Sequence, residues 1–376
     1  MTAPEHESPD PCSPRRRRAA VAVDARRLLL LTAAAVAALA ATAAAAARPS
    51  PRLEPPRLSE ISRGPASFAE SVPTRTGLRR AEIFPTWDYH LAVADGNTVD
   101  IHVSTSYPDD QAKAQGWANF LAGLMHGSEL SDLNAYFLRT DQVEAVCGDQ
   151  ALACYGGDQL YAPATDPSED LSLEAVLTHE YGHHVAAHRS NAPWDALDYG
   201  PKRWASHVNV CLKAKQKKVF PGAEDLPNYL LNPGEGWAES YRVANERRSG
   251  IAEPRWEIVS RVFYPNAAAL AAVQQDVLSP WTKPATSTRT GSLSKARRSR
   301  SFTLATPLDG TLSLKLKAAP GARFGLDVYV GSNRIARSRT GRAVSVTSTV
   351  CGRRSLRVKV RRQSGAGRFT LAVAEP

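Results

Sequence analysis

His179 and His183 stand four residues apart with Glu180 beside the first, so that three residues able to do chemistry fall within five positions. On a helix that spacing puts both imidazoles on one face, where they can share a single Zn²⁺, and it leaves Glu180 next to the open coordination position. Water held by such a metal loses a proton near neutral pH. The pattern therefore predicts hydrolysis of peptide bonds by a zinc-activated water. Glu180 is the general base and afterwards passes the proton to the leaving amine. One zinc per chain is implied.

A catalytic zinc of this type needs a third protein ligand. The segment Asp195-Ala196-Leu197-Asp198-Tyr199-Gly200 offers carboxylates at short range. Farther on, Glu235-Gly236-Trp237-Ala238-Glu239 places two carboxylates four apart on one helical face. Its neighbours Trp237, Ala238 and Tyr241 are not surface-like, which favours this second segment. In that reading Glu235 binds the metal and Glu239 orients a ligand histidine from behind, an arrangement zinc sites commonly require. His184 and His188 lie off the ligand face and read as structural.

These side chains need elements to hold them. Residues Leu171 to His188 read as a helix with Leu173, Val176 and Leu177 on one stripe and acidic Asp166, Glu169 and Asp170 at its start. Further helical patterns run from Pro201 to Lys215, from Asn232 to Glu246, where Asn232 and Pro233 suit the cap and first position, and from Glu257 to Val277. Upstream, Val99, Ile101 and Val103 alternate through a strand at Thr98 to Ser104. Asp110 then opens a helix carrying Trp117, Phe120, Leu121 and Leu124, and short strands follow at Leu133 to Leu138 and Gln159 to Ala162.

After a Ser/Thr/Arg-rich stretch at 286–300, read as a linker, the period changes to two: Leu312, Leu314, Leu316; Leu326, Val328, Val330; Leu356, Val358, Val360. Short strands at such regular spacing predict a small β-sandwich over 301–376. The chain of 376 residues is long enough for this module and a catalytic domain of roughly 200 residues. Its net charge of +10 is unevenly distributed. Residues 85–285 carry 15 Lys+Arg against 26 Asp+Glu, a balance of −11, and residues 286–376 carry 19 against 3, a balance of +16.

At the N-terminus, Arg15 to Arg18 and Arg26-Arg27 precede an uncharged run from Leu28 to Ala47 that ends in small residues. Residues 1–48 thus read as a cleaved export signal, with an uncleaved membrane anchor as the rival; either puts the rest of the chain outside the cytoplasm. A Pro/Arg-rich linker is expected over 49–85. Beyond Cys12 four cysteines remain, and the short interval between Cys147 and Cys154 favours a local disulfide in an oxidising compartment.

The order His179-Glu180-Tyr181-Gly182-His183 followed by Glu235-Gly236-Trp237-Ala238-Glu239 resembles the gluzincin metallopeptidases, among them the peptidase domain of anthrax lethal factor and its relatives. Those carry H-E-[FY]-G-H and, some tens of residues later, E-x-x-A-E. The metzincin pattern is absent, because Ala186 and Arg189 stand where its glycine and histidine would fall and no methionine follows the motif. The resemblance implies an α+β fold: a zincin-like catalytic domain over 86–285, with a mixed sheet and an active-site helix, and then the sandwich. It also implies that Tyr229 supports the transition-state oxyanion. The stretch Cys147 to Tyr161 together with H-E-Y-G-H-H is similar to exported actinobacterial peptidases. The run Gly367-Arg368-Phe369-Thr370-Leu371-Ala372-Val373 resembles the bacterial pre-peptidase C-terminal domain.

The expected partner is a peptide or protein substrate, with an anionic cell-wall polymer at the basic module. No nucleic acid is expected, since no aromatic residues interleave the arginines. The competing class is a non-catalytic exported protein that adheres to acidic surfaces through its sandwich.

Overall fold

In a computed structural model the described residues are 84–376, apart from 169, 170, 257 and 353. The export signal or anchor at 1–48, Cys12, and the linker up to 83 lie outside them. No helix among the described residues is long and apolar enough to cross a membrane.

The chain is α+β, as expected. Strands β1 (Thr86–Ala92) and β2 (Thr98–Ser104) form an antiparallel pair, and helix α1 (Gln111–Gly123) crosses to β3 (Asn134–Leu138), which lies parallel to β2. Asp110 caps α1 by accepting from the Lys113 N–H at 3.0 Å, and Trp117 stacks on Phe137 with ring centroids 3.8 Å apart. After α2 (Thr140–Cys147) the chain makes the hairpin β4 (Cys154–Gly156) and β5 (Gln159–Pro163). The sheet order is β1-β2-β3-β5-β4, so β4 is an edge strand. A disulfide joins Cys147 to Cys154, as the spacing predicts.

Helix α3 (Leu173–Ala187) carries the histidine motif. Ser172 caps it through the Ala175 N–H, and every residue from Val176 to Ala186 is buried. Such burial needs cover on more than one side. The sheet contributes Phe137, Leu160 and Ala162 to the same core as Leu177, Tyr181 and Val185, and a later helix covers another face. Between them the chain forms three short helices: α4 (Ala196–Tyr199), α5 (Lys202–His207) and α6 (Val210–Lys215). The single helix expected from Pro201 to Lys215 is broken at Asn209, which adopts the left-handed conformation (φ 60°) that asparagine tolerates better than most residues.

The covering helix is α7 (Pro233–Arg248), capped by Asn232 with Pro233 in its first turn. It crosses α3 at Gly182, where an added Cβ would sit 2.9 Å from the Ala238 Cα. Only glycine permits that approach. Of the helical pattern read from Glu257 to Val277, the structure forms a 3₁₀ turn (Arg261–Phe263) and α8 (Ala267–Leu278).

The C-terminal strands make two four-stranded antiparallel sheets, ordered β10-β9-β12-β7 and β11-β8-β13-β6. They are β6 (Ala285–Leu293), β7 (Ser299–Ala305), β8 (Gly310–Ala318), β9 (Arg323–Val330), β10 (Asn333–Arg337), β11 (Ala343–Val350), β12 (Ser355–Ser364) and β13 (Gly367–Glu375). Leu312, Leu314, Leu326, Val328, Val358, Val360 and Leu371 form the core between them. The expected linker at 286–300 is a correction: most of it is β6, paired with β13 from Ala285 to Leu293. As an edge strand with a largely exposed face it carries Ser, Thr and Arg in place of apolar alternation, which is why its composition reads as loop.

Nor does the sandwich hang free. Cys211 in α6 is disulfide-bonded to Cys351. Buried Asp309 accepts from Arg354 at 2.6 Å and through its own N–H donates to the Ser206 hydroxyl at 2.8 Å, while Arg354 also donates to the Ser206 carbonyl.

Candidate metal centre

Crossing α3 and α7 at Gly182 brings the three proposed ligands together. His179 Nε2 and His183 Nε2 each lie 3.2 Å from Glu235 Oε2 and 3.3 Å from each other. An ion at ordinary zinc–ligand distance with tetrahedral angles separates its ligand atoms by about 3.3 Å. The donor triangle has the right edge on all three sides. His179, His183 and Glu235 are 1%, 5% and 1% exposed, so the two imidazoles and the carboxylate are held by packing. Neither Asp195 nor Asp198 joins a potential metal-binding group among the described residues. Asp195 instead caps α4, accepting from the Leu197 N–H at 2.8 Å.

Burial alone would raise the pKa of Glu235, but the charge at His183 and hydrogen bonds from both histidines outweigh it and hold the carboxyl well below the usual range. A carboxylate sealed from water in this way requires positive charge beside it. Behind His179, Glu239 Oε2 is 3.5 Å from Nδ1. Glu239 is wholly buried; burial raises its pKa, yet the charge of Arg242 and the His179 contact overcome this and bring it to about 2.

Arg242 is the residue that sequence reasoning missed. Its Nε donates to Glu239 Oε2 at 2.5 Å and one terminal nitrogen to Oε1 at 3.1 Å, while the other holds Glu246 at 2.5 Å. The Arg255 carbonyl accepts a further bond at 2.6 Å. A signal was present in the sequence: Arg242 follows Glu239 by three positions and precedes Glu246 by four, the spacings at which helical side chains meet.

His179, Glu180 and Glu239 line a cavity of about 430 Å³ whose apolar wall includes Leu152, Ala153, Leu171, Val176, Ile251 and Ile258. Glu180 thus faces the space beside the donor triangle. Tyr229 is not in that wall. It lies on the 3₁₀ turn Tyr229–Leu231, three residues before the α7 cap, and is buried in the main core.

No protein-family description matches the chain. No curated protein matches it either. Among solved structures it is similar to the pre-peptidase C-terminal domain of a collagenase from Bacillus anthracis, with 16% identity over 23% of this chain and 88% of that one and a TM-score of 0.21. A mitogen from Yersinia pseudotuberculosis is similar at 16% identity, covering 25% of this chain and 87% of its own, with a TM-score of 0.21. A periplasmic inhibitor of g-type lysozyme from Aeromonas hydrophila gives 12%, 24% and 86%, with a TM-score of 0.20.

Proposed function

We propose that the chain is a zinc-dependent metallopeptidase acting outside the cytoplasm. The observation that carries the reading is the buried donor triangle of His179, His183 and Glu235, with edges of 3.2–3.3 Å, one member of which, His179, lines a cavity together with Glu180. Two imidazoles and one carboxylate are a donor set suited to zinc. Zinc bound there would supply Lewis acidity toward a carbonyl oxygen and acidify water.

The protein's own residues do the rest. Glu180 accepts the proton of the attacking water and returns it to the nitrogen that leaves, so that water is added across the C–N bond with no other reactant. Leu152 and Ala153, which lead into β4, line the cavity, and the outer edge of β4 offers main-chain groups to an extended peptide. The apolar wall suits an apolar substrate side chain. Both disulfides agree with an oxidising compartment.

Digestion of a peptide library tests the reading. The full chain with zinc cuts peptides, and Glu180→Gln cuts them at least about a hundredfold more slowly. A library left intact by the zinc-loaded protein overturns it.

For the basic module the partner we propose is an anionic polymer of the cell wall. Arg337, Arg339, Arg361 and Arg362 line one shallow cavity of its surface. Retention of the full chain on cell-wall preparations should fall steeply as salt is added, because exposed charges are screened beyond about 8 Å at physiological ionic strength. No retention at low salt discards this partner.

A further inference from the structure

A second cluster of donors lies on the same helix, turned away from the first. His184 on α3 and His188, the residue that caps its C-terminus, are four apart and project to one side, and His184 is rotated by about 100° around the helix from His183. Asp158, in the β4–β5 turn, reaches them: its Oδ1 is 2.8 Å from His188 Nε2 and 3.6 Å from His184 Nδ1. The three atoms lie within 4.8 Å of one another.

The outward nitrogens decide what the inward ones can do. His184 Nε2 is 2.7 Å from the Glu129 carbonyl, which only accepts, so Nε2 bears the proton and Nδ1 presents a lone pair to Asp158. His188 Nδ1 faces Asp132 Oδ2 at 3.8 Å, which leaves its Nε2 turned to the cluster. Both outer oxygens come from the one 3₁₀ segment Ser128–Asp132. The Glu129 carbonyl behind His184, which fixes that ring's tautomer and direction, is the support that metal-binding histidines receive, and the Asp132 carboxylate places a negative charge behind His188.

One hydroxyl adjoins the cluster. Tyr155 Oη is 3.2 Å from His184 Nδ1 and 3.1 Å from Asp158 Oδ1, and it already accepts from the Asp158 N–H. Its single proton can serve only one of those two acceptors, whereas a cation serves both. His184 is buried, but His188 and Asp158 have side chains 26% and 44% exposed, so an ion has a way in.

We propose that Asp158, His184 and His188 form a second metal site, for a transition-metal dication of the zinc type, which pins the β4–β5 hairpin to the motif helix. Two imidazoles and a carboxylate select such ions over Ca²⁺ or Mg²⁺. The site is independent of the peptidase reading, since none of its ligands belongs to the first triangle. Its occupancy steadies β4, the edge strand beside the first cavity.

The test uses the full chain loaded with Zn²⁺, freed of excess and assayed for metal, with Co²⁺ absorption as a second readout. Wild type should hold two ions per chain, and His188→Ala and Asp158→Asn, both partly exposed positions, should hold one. His183→Ala should keep one ion, lost on adding His188→Ala, and Zn²⁺ should raise the melting temperature of the single variant but not of the double. A wild type holding one ion that His188→Ala does not remove overturns the second site and leaves the first. Conversely, a single ion that His188→Ala removes and His183→Ala does not upholds the second site and removes the first.

Discussion

Trp237 donates its indole N–H to the Gly182 carbonyl at 2.9 Å, and this bond joins the two helices that carry the three atoms of the donor triangle. Gly182 lies between Glu180 and His183 in the motif, and Trp237 is two residues after Glu235. The geometry of the donor triangle is therefore a property of one helix crossing. Any side chain at 182 meets the α7 backbone at Ala238, which cannot turn aside as a flexible side chain would.

Gly182→Ala should consequently spread the crossing, lowering stability by about 1–3 kcal/mol and weakening zinc retention together. Thermal unfolding with and without zinc measures both. A variant as stable and as metal-rich as wild type would show that the crossing relaxes freely.

Loss of zinc should be graded by position. Glu235→Ala should lose the ion of the first triangle outright, and Glu239→Ala should weaken that ion's binding by roughly 10- to 100-fold, because its proposed role is only to orient His179. Asp195→Ala and Asp198→Ala should leave metal content at the wild-type level. Arg242→Met leaves Glu239 buried without its cation and should cost about 3–5 kcal/mol, largely recovered when Glu239→Gln is added. Metal analysis and urea unfolding across this series separate ligand, orienting carboxylate and clamp.

Glu180→Gln should keep zinc while kcat falls by about 10²- to 10⁴-fold, the usual worth of a general base. Tyr229→Phe distinguishes two roles. If the hydroxyl supports the oxyanion, kcat falls by about 10²- to 10³-fold with unchanged zinc content. A change in melting temperature alone would mark Tyr229 as a core residue.

The proposed metal site was legible because helical spacing and chemistry coincide in both segments: His179 with His183, and Glu235 with Glu239. Their flanks also told of burial. What the sequence hid was of a different kind. The strand Thr86–Ala92 has one neighbour and a largely exposed pattern, so it shows little apolar alternation. The same reason conceals β6. At the break Asn209 accepts a hydrogen bond from Arg354, 145 residues away, and no local pattern records that contact. Arg242 went unread because its partner Glu239 is buried only once α3 and α7 have met. His184 and His188 read as structural because they lie off the ligand face, and Asp158, which meets them, comes from a hairpin that helical spacing does not connect to them.

Asp276 offers a prediction about pH. It lies on α8, 1% exposed, and accepts from the N–H groups of Arg203 at 3.0 Å and Trp204 at 2.8 Å at the start of α5. Burial pushes its pKa up to about 6 from 3.8, against the pull of those N–H groups and of Arg203. The folded state thus binds this proton more tightly than the unfolded chain does. The stability it contributes is complete below the unfolded pKa, declines as pH rises through the interval up to about 6, and is absent above it. Two units correspond to about 3 kcal/mol. Other carboxylates also titrate in this range, so the measurement is the difference between wild type and Asp276→Asn in urea unfolding at a series of pH values. That difference should shift in favour of the asparagine variant by up to about 3 kcal/mol between pH 4 and 6.5. Parallel pH profiles for the two proteins would mean that Asp276 titrates alike in the folded and unfolded chains.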